Sequence, residues 1–216
     1  MKILFTTLLI IHIVAGSIGL ITGTINIARK KGDKLHKNIG KFFLYGMLVN
    51  GFAGLLMSLM HPNYFLFIIA VFSIYLVGTG QRSLSLKQLH QEQKPKAIDW
   101  LLTLMMLVFA LAFVGFGVYL LVNGKTLGTV LIVFGMISFL MVKKDIKNYR
   151  GQSEIKNHWL LTHIQRMIAG YIAALTAFLV VNNTILPGVV AWLLPTIVLT
   201  PLIFYWSKKY KIIRKK

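Results

Sequence analysis

The chain has 216 residues, 56% of them apolar and only 13% charged, with a mean hydropathy of +0.72, which excludes an ordinary soluble domain because the apolar residues come in runs long enough to cross a bilayer. Cysteine is absent, so disulfides, thiolate metal sites, iron–sulfur clusters and cysteine nucleophiles are excluded together. The formal net charge is +19, but the basic residues sit at the ends of apolar runs and not on one soluble face, so the charge points to a membrane and not to nucleic acid.

Seven segments are long enough to span: Ile3–Ala28, Ile39–Met60, Tyr64–Gln81, Ile98–Val122, Thr126–Val142, His158–Asn182 and Ile185–Trp206. The first follows Lys2 but lacks an A-x-A-like cleavage site, so it reads as a retained helix and not as a secretory signal. Within it His12, Gly16, Gly19, Gly23 and Asn26 recur at alternating steps of four and three, which puts them on one helical stripe. Hydrocarbon satisfies neither His nor Asn, and glycines admit a close neighbour, so this stripe is expected to face protein or a flat ligand.

The second segment repeats the pattern with His36, Gly40, Phe43, Met47, Asn50, Gly54, Met57 and His61. The two stripes are expected to meet. The plainer account is helix packing by small residues, with Asn26 and Asn50 hydrogen-bonded across the interface. The fourth segment opens with Asp99, placed to cap its helix. The sixth carries a third stripe of His163, Arg166, Gly170, Ala173 and Ala177, with Arg166 about 12 Å beyond His158 at 1.5 Å per residue. A guanidinium at that depth costs roughly 2–3 kcal/mol or more unless paired. Asp99 is the expected protein partner, and failing that an anion from outside the chain. Pro195 and Pro201 remove backbone donors from the last segment and are expected to bend it.

The connections divide by charge. Arg29, Lys30, Lys31, Lys34, Lys37 and Lys41 fall at the first, Arg82, Lys87, Lys94 and Lys96 at the third, and Lys143, Lys144, Lys147, Arg150 and Lys156 at the fifth. Lys208, Lys209, Lys211, Arg214, Lys215 and Lys216 close the chain, and only Lys2, Lys125 and Arg166 lie elsewhere. With seven spans these basic connections share one side, so the N-terminus is expected outside and the C-terminus in the cytoplasm, in a multi-pass protein of the cell (inner) membrane. Residues 1–207 then form a single seven-helix, all-α transmembrane domain and 208–216 a basic cytoplasmic tail. The basic loops are expected to lie against anionic lipid head groups. No internal repeat of the kind many secondary transporters carry is visible.

Acidic residues number five, Asp33, Glu92, Asp99, Asp145 and Glu154. That scarcity excludes paired buried carboxylates for di-metal or acid–base work, and no His–Asp set has zincin spacing. Histidine remains. His12 and His61 fall toward the outer side, His36, His158 and His163 toward the cytoplasmic side, and His90 in a loop. Imidazoles facing each other in a helix bundle can ligate haem iron, with glycines making room for the macrocycle.

The run His12-Ile13-Val14-Ala15-Gly16, the basic loop, Leu35-His36-Lys37-Asn38-Ile39-Gly40, and later Thr162-His163-Ile164-Gln165-Arg166 resemble an uncharacterised family of bacterial multi-pass membrane proteins, a domain of unknown function. More remotely, the first two segments resemble the core of cytochrome b561 proteins, where a helix-borne His and a Leu-His-x-x-x-Gly motif help hold haems on opposite sides of the membrane. That likeness implies His36 with His163 for one haem and His12 with His61 for the other.

Three functional expectations follow. The first is a redox protein binding haem b or a quinone, with His12, His36, His163, Arg166, Asn26 and Asn50 around the cofactor and His36, His163, His12 and His61 as ligands to haem iron. The second is a carrier or lipid-interacting protein that holds an anionic or amphipathic small molecule near Arg166, Asn26 and Asn50. The third is a structural or accessory subunit whose stripes only pack helices. The first two require the imidazoles and the deep guanidinium to share a cavity.

Overall fold

The computed structural model describes residues 2–89 and 91–213, so His90 and the tail residues Arg214, Lys215 and Lys216 lie outside the described residues. Within them the chain forms seven helices: α1 (Lys2–Ala28), α2 (Lys34–Met60), α3 (Tyr64–Ser83), α4 (Ala97–Val122), α5 (Leu127–Tyr149), α6 (His158–Asn182) and α7 (Gly188–Tyr210). All seven are long and apolar enough to span a bilayer, and the chain is an all-α, multi-pass membrane protein. Among the described residues the only strand-like pairing is an isolated bridge between Ile155 and Ile213.

Three helices depart from the expected bounds by more than two residues, each for a local reason. α2 starts at Lys34 and not Ile39, because Asp33 adopts an extended backbone and accepts the His36 N–H at 2.7 Å, capping the helix inside the basic loop. α5 continues past Val142 to Tyr149. Hydropathy stops at Lys143 and Lys144, but the buried face runs on through Ser138, Val142, Asp145 and Asn148 at helical steps. α7 starts at Gly188 and not Ile185, because Ile185 and Leu186 belong to a turn in which Asn183 Oδ1 accepts the Leu186 N–H at 2.8 Å. It ends at Tyr210, past Trp206, with Lys208 and Lys209 in a last turn whose dipole favours cations.

The described residues divide into two compact units. One comprises residues 2–81 with Leu161–Tyr210, the other the described residues of 82–160 with 211–213.

In the first unit, Phe43, Met47, Val77 and Tyr171 form a buried cluster contributed by α2, α3 and α6. α1 and α2 approach closely because both carry glycine at the contact. A Cβ on Gly46 would stand 2.9 Å from the Ala15 carbonyl oxygen and 3.1 Å from the Gly19 nitrogen, and main chain cannot move aside. Gly23 leaves space that the Phe43 and Tyr171 rings fill, and the Tyr171 hydroxyl meets Thr24 Oγ1 at 2.6 Å.

In the second unit, α4 and α5 form a hairpin whose turn uses Gly124 at φ +72°. Gly117 and Gly128 face each other there, and a Cβ on Gly117 would lie 2.9 Å from the Gly128 carbonyl. Asp99 is fully buried and receives both Arg82 Nε at 2.7 Å and Arg82 Nη2 at 2.9 Å. Its Oδ2 also accepts the Lys96 N–H at 2.8 Å, so the expected capping role is present. This Arg82 fork engages both carboxylate oxygens. Beyond α7, Ile212 accepts the Lys156 N–H at 2.9 Å and donates its own N–H to Asn157 Oδ1 at 3.0 Å, tying the start of the tail to the α5–α6 loop.

Candidate functional site

The polar residues of the α1 and α2 stripes turn toward each other, at two levels. At the first level, Asn50 Nδ2 donates to the His12 carbonyl at 2.9 Å, and His12 Nδ1 lies 3.0 Å from the Asn50 carbonyl. A carbonyl only accepts, so Nδ1 carries the proton and Nε2 keeps its lone pair. Gly16 and Gly54 supply the room. A Cβ on Gly16 would stand 2.6 Å from Asn50 Nδ2, and one on Gly54 would stand 3.2 Å from the His12 ring. Farther along, His61 is the residue that ends α2, and its ring meets Phe5 edge-on at 4.5 Å.

The second level lies at the basic end of the same helix pair. Asn26 Nδ2 donates to the His36 carbonyl at 3.2 Å, Asp33 caps α2, and Arg29 Nη2 donates to Asp33 Oδ2 at 2.6 Å. These contacts join Asn26, Arg29, Asp33 and His36 into one polar knot. Inside it, Asn26 Oδ1, Arg29 Nε, Arg29 Nη1 and His36 Nδ1 are buried without a hydrogen-bond partner. Leaving such groups unsatisfied costs about 1–3 kcal/mol each, so a concentration of them in one place marks where a further polar group is wanted.

Charge around the knot is lopsided. The His36 N–H holds the Asp33 carboxyl below its ordinary value, with the Arg29 charge adding to the effect against the opposing pull of burial. Burial lowers the Lys31 ammonium, and the neighbouring Arg29 lowers it further. Lys31 Nζ nonetheless finds three acceptors, the carbonyls of Asn26, Ile27 and Arg29 at 2.6–2.9 Å, and lies over the Trp206 ring at 4.3 Å.

α6 brings the third stripe to this same level. Phe43 on α2 and Tyr171 on α6 flank Gly23 together. At 1.5 Å per residue, His36 lies about 10 Å before Phe43 and His163 about 12 Å before Tyr171. The two histidines therefore lie at a similar level of their helices. His163 Nδ1 lies 3.0 Å from the Gly80 carbonyl, which fixes its proton on Nδ1 and leaves Nε2 with a lone pair, as in His12. One turn on, Arg166 is 4% exposed. Its Nη1 donates to Thr79 Oγ1 at 2.6 Å and its guanidinium lies 4.5 Å from the centre of the Tyr75 ring. Gly80 permits this, since a Cβ there would lie 2.8 Å from Arg166 Cβ.

The residues singled out from the sequence therefore gather as His12 with Asn50, and as Asn26 with His36 near His163. Asn26 meets α2 at His36, about 21 Å along that helix from Asn50, so the two asparagines sit at separate levels. The guanidinium of Arg166 is directed at α3. Arg29, Thr79, Gly80 and Tyr75 were not anticipated as parts of the site. Gly78-Thr79-Gly80 in an otherwise bulky segment was the available signal, because small residues in a membrane helix mark close approach. Among the described residues no three His, Asp or Glu side chains converge as a metal site.

Residues 9–95 match the model of a family described as predicted membrane protein (DUF2306), a domain of unknown function, and the match takes in most of α1 and all of α2 and α3. No curated protein and no solved structure matches the chain.

Proposed function

We propose that this integral membrane protein is a redox protein that holds haem b or a quinone at the basic, cytoplasm-facing end of its first unit, between His36 on α2 and His163 on α6. The observation that carries the reading is the pair of imidazoles at one level, each with a ring nitrogen uncommitted to protein. His163 donates Nδ1–H to a main-chain carbonyl, the arrangement that orients a ligating histidine and raises the basicity of Nε2. His36 Nδ1 is buried and unpartnered, so a group that engages it relieves an existing cost.

Two nitrogens of this kind would ligate haem iron were haem bound there. A quinone oxygen needs a donor instead, which His36 Nδ1 would supply in its Nδ1-protonated tautomer, whereas His163 Nε2, with the ring proton on Nδ1, would not donate to it. The bound group supplies the electron transfer, and the chain binds and orients it. We confine the site to this end because at the other end the His61 ring is taken up by Phe5.

The test is the haem and quinone content of purified, detergent-solubilised full-length protein, measured for wild type, His36→Ala, His163→Ala and His61→Ala. The expected result is a stoichiometric cofactor in wild type and His61→Ala, with loss of about tenfold or more in the other two variants, the scale at which site mutations cost affinity. Retention in both His36→Ala and His163→Ala defeats the reading.

A further inference from the structure

We propose that the turn between α1 and α2 is a phosphate-binding site anchored by Arg29, taking either the headgroup phosphate of an anionic lipid or free phosphate. Arg29 is committed to protein through Nη2 alone, on Asp33, while Nε and Nη1 are buried donors with no acceptor. The chain has few carboxylates to offer them. Of the acidic residues, Asp33 is already engaged, Asp99 is held by Arg82, Asp145 is buried on α5, and Glu92 and Glu154 are exposed in other loops. The surroundings are cationic instead, with Lys30, Lys31, Lys34 and Lys37 in the same stretch of chain. Lys31 feels that field directly, since the Arg29 charge contributes to lowering its ammonium.

An oxyanion with several acceptor oxygens answers both features, the orphaned donors and the excess positive charge. Position favours phosphate over a soluble carboxylate. Arg29 follows α1 directly, at the end of a span, where head groups lie, and basic pockets between transmembrane helices on the cytoplasmic side suit phosphorylated head groups. The site differs from general attraction to a basic collar in that it needs the planar fork of one arginine, so lysine does not replace it. It stands whether or not His36 and His163 hold a redox group.

The test uses the full chain in detergent with two probes. The first is native mass spectrometry in a mixture of phosphatidylglycerol and phosphatidylcholine. The second is thermal unfolding in inorganic phosphate against chloride at equal ionic strength. Wild type is expected to retain phosphatidylglycerol or to gain stability from inorganic phosphate, and whichever probe responds names the source. Arg29→Lys, which keeps the charge, is expected to weaken the response about fivefold or more, while Lys143→Gln, which removes an exposed collar charge, leaves it unchanged. Asp33→Asn keeps Arg29 and removes its competing carboxylate, so it is expected to strengthen the response, which keeps the test open if Arg29→Lys does not fold. No response to either probe, or equal responses from Arg29→Lys and wild type, overturns the proposal.

Discussion

Asn50 and His12 hold each other's main chain: the Asn50 amide donates to the His12 carbonyl at 2.9 Å while the His12 ring donates back to the Asn50 carbonyl at 3.0 Å. The reciprocity locks the register of α1 on α2 in a medium where neither residue has water to turn to. Asn50→Leu removes both the donor and the shape that fits against Gly16. It is expected to destabilise the protein by about 1–3 kcal/mol through loss of the interhelical hydrogen bonding and of that fit. Gly16→Ala, whose Cβ would stand 2.6 Å from Asn50 Nδ2, is expected to act in the same direction. Thermal unfolding in detergent measures both, and a wild-type midpoint for both variants contradicts the lock.

Packing of α4 on α5 depends on main chain approaching main chain. A Cβ on Gly128 would collide with the Gly117 carbonyl oxygen and lie 2.9 Å from the Leu121 nitrogen, and neither can yield as a side chain does. Gly128→Ala is therefore expected to force the hairpin apart, at about 1–3 kcal/mol by the usual cost of overpacking. Gly115→Ala, which meets nothing within 4 Å, is the matched control and is expected to leave stability unchanged or slightly raised. A cysteine pair placed across the hairpin would report the separation through its crosslinking rate.

Asp99 is buried to 0% exposure, and the Arg82 fork is what makes that tolerable. Arg82→Ala strands a carboxylate in the interior and is expected to cost about 3–5 kcal/mol. Asp99→Asn is expected to cost less, because the neutral amide needs no counter-charge although it loses part of the cap. The order of the two unfolding midpoints checks this, and a milder effect from Arg82→Ala contradicts it.

Acid should loosen the α1–α2 turn through Asp33. Its folded-state carboxyl is held below the ordinary value of 3.8 by the His36 N–H and by Arg29. The unfolded state therefore takes up a proton first as pH falls, and the contribution of this cap is complete above about pH 4 and is lost as pH drops through the lower, folded-state value. Asp33→Asn retains an N-cap acceptor without the titration, so its stability is expected to fall less than that of wild type over this acid window. Parallel acid limbs for the two proteins contradict the assignment.

Much of the architecture was legible because membrane spans announce themselves by length and apolar composition, and the meeting of the first two stripes followed from His12, Gly16 and Asn26 sharing one face of the first span while Asn50 lies on the matching stripe of the second. Less visible was the far end of α5. The charges of Lys143 and Lys144 break the apolar run, yet Asp145 and Asn148 prolong the buried helical face beyond it. The partner of Asp99 escaped for a similar reason. Arg82 closes one helix and Asp99 opens the next, with a loop between them whose path composition does not specify. Arg29 looked like one basic loop residue among several, and only the geometry of Asp33 and His36 sets it apart.

A redox group between His36 and His163 is tested most directly by the optical absorption spectrum of the purified protein, taken oxidised and reduced, with its solvent extract assayed for quinone. The expected result is either a Soret band that shifts on reduction and disappears in His163→Ala, or a stoichiometric quinone that is lost in the same variant. A wild-type protein with neither a Soret band nor an extractable quinone contradicts it.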